Sequence, residues 1–100
     1  MKTIINRYET RGRVFTIVKD QGHFLAIEDK YIGKDGRLTQ GLNGCQMHAA
    51  RDLNMCLELT DHACWMDDLL GLGCSKAEAF CIVNNCECTA AVRELFGEAL

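Results

Sequence analysis

The 100-residue sequence contains no proline, so no rigid linker or proline-marked boundary divides it. No run approaches the roughly 18 to 20 apolar residues that span a bilayer, which excludes an expected membrane helix. The opening MKTIINRYETRGR turns polar after two isoleucines, far short of a secretory apolar core. A cytoplasmic protein is the expectation. Glycine-rich phosphate loops, H-E-x-x-H and G-x-S-x-G are also missing, which removes the commonest sequence signatures of nucleotide, zinc-protease and hydrolase chemistry.

Apolar residues make up 48% and charged residues 25%, a globular composition without a low-complexity tract. A chain of this length fills one core rather than two, so residues 1–100 read as a single α+β domain, with a β-meander over 1–37 and a helical part over 38–100. Net charge is −3, unevenly spread. Residues 1–37 carry eight basic side chains against five acids, and the remainder carries Arg51, Lys76 and Arg93 against nine acids. Opposed halves speak to partners and association rather than to fold.

The meander follows from period-two alternation. Val14, Thr16 and Val18 alternate with Phe15 and Ile17, and Phe24 and Ala26 with Leu25 and Ile27, on either side of Asp20-Gln21-Gly22, where glycine supplies the positive φ of a tight turn. Thr3 to Tyr8 forms a further strand, joined through Arg11-Gly12. After Asp35-Gly36 the period changes. Leu42, Cys45, Ala49, Leu53, Cys56, Leu59, Ala63, Met66 and Leu70 recur three or four residues apart, which predicts one long amphipathic helix ending at Gly71-Leu72-Gly73.

Ser75-Lys76-Ala77-Glu78 reads as a capping box opening a short helix to about Val83. Asn84-Asn85 breaks it, and Thr89 or Asn85 caps a last helix with Val92, Leu95 and Phe96 on its apolar face. The expected order is three strands of an antiparallel meander, one long helix and two shorter ones (βββααα), an α+β arrangement.

Seven cysteines, an odd number, are expected to be reduced in the cytosol. Cys74, Cys81, Cys86 and Cys88 fall within fifteen residues and are the candidate ligands for zinc, the one cofactor the sequence suggests. Paired C-x₂₋₄-C knuckles are the usual pattern for such a site, and this spacing is different. Small buried hydrophobes account for the same residues. Thiol reactivity is the related reading, although the redox signature C-x-x-C is missing. Cys45 with His48, and His62 with Cys64, lack a third orienting group. Asp67-Asp68 and Glu58-Asp61 fit the solvated face of a helix, since neighbouring helical residues diverge by about 100°.

Arg7, Arg11, Arg13, Lys19 and Lys30 are the candidate nucleic-acid contacts. They interleave with Tyr8, Phe15 and Tyr31 on the meander, and arginines meet phosphates while aromatics stack on bases. The acidic total opposes this, and ordinary decoration of an exposed sheet explains the same residues. The acidic helical half suggests the converse, a surface blocking a nucleic-acid-binding enzyme.

Phe15-Thr16-Ile17-Val18-Lys19, Phe24-Leu25-Ala26-Ile27-Glu28, Lys30-Tyr31-Ile32, Asp35-Gly36-Arg37-Leu38-Thr39, Leu42-Asn43-Gly44 and Ser75-Lys76-Ala77-Glu78-Ala79 resemble small uncharacterised proteins of Gram-positive gut bacteria and their phages or mobile elements. The resemblance covers residues 13–80, implies no activity and carries over no functional residue. It implies an accessory or regulatory role. The expected function is a non-enzymatic module binding a protein partner through the long helix or the sheet face, with a homodimer as one form. A nucleic-acid-associated regulator and a zinc-stabilised or thiol-reactive protein are the alternatives.

Overall fold

The structure, a computed structural model, describes residues 3–35 and 46–98. Among the described residues four strands, with a short 3-10 turn at Asp29–Tyr31 after the third, precede three α-helices: β1 Thr3–Thr10, β2 Arg13–Asp20, β3 His23–Glu28, β4 Gln46–Ala50, α1 Leu53–Gly71, α2 Lys76–Asn84 and α3 Ala90–Leu95. The chain is α+β, as expected, with an antiparallel sheet in the order β1-β2-β3-β4. Its described residues fall into two compact units, one ending at Asp61 and one beginning at His62.

In the first unit, two hairpins share one turn chemistry. Arg11 and Gly12 have φ of 50° and 76°, and Gln21 and Gly22 have φ of 51° and 79°. Positive φ at both central residues is the type I′ signature, whose twist matches that of the flanking strands. The turns fix the register, pairing Thr10 with Arg13 and Asp20 with His23. One face then receives Phe15, Ile17 and Ala26, all fully buried. On the other, Val18 and Ile27 pack with Tyr31 and Ile32, just after the strand. Both faces are partly covered, which explains why both alternating sets are apolar.

The expected three-stranded meander and the start of the long helix are corrected here. Gln46–Ala50 is a strand, paired antiparallel with β3 through Phe24↔Ala50 and Leu25↔Ala49. The helix begins at Leu53, and Asp52 accepts a hydrogen bond from the Met55 N–H at 2.9 Å, in the manner of an N-cap. Residues 46–50 therefore belong to the sheet and not to the helical part. Ala49 drops out of the helical stripe and His48 lies on a strand, whereas Leu42 and Cys45 lie outside the described residues, as do positions 36–44. The buried line on α1 is Cys56, Thr60 and Cys64, spaced four apart and each fully buried, somewhat rotated from the predicted stripe. The Thr60 hydroxyl is satisfied by donating to the Cys56 carbonyl at 2.7 Å, a back-bond available to threonine within a helix.

Ion pairs consume much of the basic meander. Arg13 grips Glu28 with two bonds, at 2.7 and 3.0 Å, and Lys30 lies 3.7 Å from the same carboxylate. Arg7 pairs with Asp29, and Asp29 also accepts from the Thr16 hydroxyl at 2.9 Å. Asp61 of α1 accepts from Thr10 and, at 3.3 Å, from Arg11, tying the first hairpin turn to the helix. Asp61 is thus a tether and not the solvated carboxylate expected from its helical face.

Arg13 lowers the pKa of the buried Glu28 carboxyl from 4.5, through its hydrogen bond first; desolvation opposes the shift and the charges of Arg13 and Lys30 add to it. A carboxylate whose folded pKa is depressed contributes stability present above the unfolded pKa, and that contribution is lost as pH falls through the folded value. Glu28→Gln is expected to cost about 2 kcal/mol at pH 7 and to flatten the acid limb of the stability curve below pH 4.5. Urea unfolding of both proteins from pH 7 down to pH 3 measures this; parallel acid limbs would refute it.

Candidate functional site: a cysteine-lined cleft

The second unit begins at His62, within α1, and Gly73, at a φ of 100°, follows the end of that helix. The helix is closed by a bond of 3.1 Å from the Cys74 N–H to the Leu69 carbonyl. Ser75 then opens α2 with the predicted capping box. Its hydroxyl accepts from the Glu78 N–H at 3.2 Å, and the Glu78 carboxylate accepts from the Ser75 N–H at 2.9 Å. These bonds, the backbone one first, pull the Glu78 carboxyl below its ordinary range. Glu98 adds a second anion, accepting from the Ala77 N–H at 2.8 Å. Two carboxylates thus satisfy N–H groups at or beside the first turn of α2, where the helix dipole favours negative charge.

At its other end α2 stops on Asn85, left-handed at φ 53° and ψ 48°. Asparagine tolerates this region better than most residues. The reversal lets the Cys86 N–H donate to the Cys81 carbonyl at 2.9 Å, the six-to-one bond of a Schellman cap. Beyond it the chain turns again, the Thr89 N–H bonding Glu87 at 3.0 Å. Thr89 caps α3 by accepting from the Val92 N–H at 3.3 Å, as predicted. Phe80 and Phe96 stack at 5.3 Å between centroids, joining α2 to the residue that ends α3.

These turns enclose an open cleft of about 480 Å³ lined by Glu78, Cys81, Ile82, Asn85, Cys86, Cys88 and Arg93. Cys81 is buried, Cys88 half-buried and Cys86 exposed. The Cys81 thiol lies within hydrogen-bonding reach of both other thiols, and its pKa is pushed up to about 12, by burial first and then by those neighbours. At neutral pH it stays a protonated thiol. Arg93 reaches toward Glu98 at 3.6 Å and also acts electrostatically on Glu78.

Three of the four cysteines singled out by sequence, Cys81, Cys86 and Cys88, therefore share one cleft, and Cys74 is not among its lining residues. Among the described residues no group of three or more His, Cys, Asp or Glu side chains is arranged to hold a metal ion. Cys56 and Cys64 are buried on α1, and burial raises the Cys56 pKa. His62 is half-buried and His23 exposed, the latter with Nδ1 3.2 Å from the Gln21 carbonyl.

The nucleic-acid candidates have other partners. Arg7, Arg11, Arg13 and Lys30 each pair with a carboxylate, and Lys19 lies over the Phe24 ring, 5.5 Å from its centroid. No helix among the described residues is long and apolar enough to cross a membrane. Compared with protein-family models, curated proteins and solved structures, the chain matches none.

Exposure orders the thiols. With limiting iodoacetamide on native reduced protein, Cys86 is expected to be alkylated first among the six described cysteines, with Cys56, Cys64 and Cys81 about tenfold or more slower until denaturant is added. Peptide mass spectrometry checks this, and early labelling of Cys81 would refute the buried placement. Separately, Ser75→Ala is expected to cost about 1 kcal/mol through loss of the cap, read by denaturant unfolding; an unchanged midpoint would show that the Glu78 and Glu98 carboxylates suffice to cap α2.

Proposed function

We propose that the chain is a non-enzymatic interaction module that accepts a protein strand along β1. The observation carrying this reading is the position of β1 at one end of the sheet order with Ile4 73% and Ile5 43% exposed. An edge strand offers a row of backbone donors and acceptors to a partner. Apolar side chains beside such a row supply the burial that main-chain bonding alone lacks.

A second copy is the first occupant to consider. Two β1 strands can meet antiparallel about a two-fold axis, each presenting the same patch to the other. The nucleic-acid reading ranks lower because the arginines it requires are already matched with carboxylates, and breaking those pairs opposes phosphate binding.

Sedimentation velocity over a concentration series tests the proposal. Wild type is expected to self-associate, and Ile4→Lys to weaken association about tenfold or more, since burying one isoleucine contributes roughly 1.5–3 kcal/mol. Glu58→Lys on the exposed face of α1 should leave it unchanged. A chain monomeric at every concentration, which also fails to bind a peptide of residues 3–10, would overturn the proposal.

A further inference from the structure

We propose that Cys81 and Cys86 are a redox pair, closing to a reversible disulfide when a hydroperoxide reaches the cleft and so stapling the C-terminal cap of α2. The geometry rests on the cap. The 2.9 Å bond from the Cys86 N–H to the Cys81 carbonyl holds the two residues at the close approach a disulfide requires, about 4.4–6.8 Å between Cα atoms. Their thiols face the same cleft. Schellman caps commonly bring an apolar pair together at these two positions; here both members are cysteines. Cys88 borders the cleft too, but its backbone has no corresponding bond to Cys81 among those of the cap.

Burial assigns the order of events. Cys86 is exposed and Cys81 buried, so the oxidant meets Cys86 first. The Cys86 thiolate attacks one peroxide oxygen, forming an S–O bond as the O–O bond breaks; the departing alkoxide or hydroxide takes up the proton that Cys86 released. The Cys81 sulfur then attacks the sulfenic sulfur. The S–S bond forms as the S–O bond breaks, and the leaving hydroxide takes the Cys81 proton and departs as water. Two thiols are oxidised by two electrons and one hydroperoxide is reduced to water and an alcohol, or to two waters from hydrogen peroxide. The elevated Cys81 pKa fits this order, because a protonated thiol is a poor first nucleophile.

The bond joins the last turn of α2 to the loop leading to α3. Reduction by a dithiol releases it, and a short ring of this kind is among the more reducible disulfides when strained or exposed.

The sequence itself supplies a clean assay, because Glu87 separates Cys86 from Cys88. Reduced native protein is treated with hydrogen peroxide, blocked with iodoacetamide and cleaved after glutamate, which yields peptides 79–87 and 88–94. The expected result is peptide 79–87 lighter by two hydrogens and unalkylated, with peptide 88–94 carrying one alkyl group, all reversed by dithiothreitol before blocking. Cys88→Ser should preserve the 79–87 cross-link, and oxidation in denaturant should lower its yield severalfold because the cap is then lost. Recovery of 79–87 joined to 88–94, of 79–87 with both cysteines alkylated, or of an undiminished yield in denaturant would overturn the proposal.

Discussion

The positive φ demanded by two-residue hairpin turns is the constraint on which the sheet depends. Arg11-Gly12 and Gln21-Gly22 each place two consecutive residues in the left-handed region, and a glycine in the second position makes that conformation inexpensive. Once the turns close, the register follows, and a slip of one residue would exchange Phe15, Ile17 and Ala26 for the opposite face. The same register sets Arg13 near Glu28 and Arg7 near Asp29. Charge placement in the first unit is therefore a consequence of turn geometry.

A related constraint organises the second unit. Asn85 in the left-handed region ends α2 and returns the backbone over Cys81, so a conformational preference at one residue brings Cys86 back to Cys81, five positions earlier. The two ends of α2 are handled differently. The N-terminal end gathers Ser75, Glu78 and Glu98 around free N–H groups, whereas the C-terminal end is closed by backbone bonds and leaves its side chains to line the cleft.

Legibility in the sequence tracked the locality of the interactions. Both hairpin turns, the Ser75 capping box, the Thr89 cap and the stop at Asn84-Asn85 were readable because each is written within a few consecutive residues. β4 was not. Gln-Met-His-Ala-Ala contains no β-branched residue, and the spacing of Cys45, Ala49 and Leu53 fits a helix; pairing with β3 overrides that local preference, as tertiary context often does for strands. Asp61 departs from its local pattern for the same reason. On a helical wheel it belongs to the polar face, and only the fold brings Thr10 and Arg11, fifty or so positions earlier, within reach of its carboxylate.

The cysteines show how a local signal can be present and still be weighed by the wrong measure. Counting thiols within fifteen residues grouped Cys74 with Cys81, Cys86 and Cys88, as if proximity along the chain implied a common site. The more informative signal was the helix stop. A left-handed cap at Asn85 predicts contact between the residue that follows it and the one five positions before, Cys86 with Cys81, and predicts nothing for Cys74 at the opposite end of the same helix. The nine residues of α2 rise about 1.5 Å each, roughly 13 Å in all. That length sets Cys74, before the N-terminal cap, apart from the thiols at the C-terminal cap, where Glu78, three residues before Cys81, also lines the cleft.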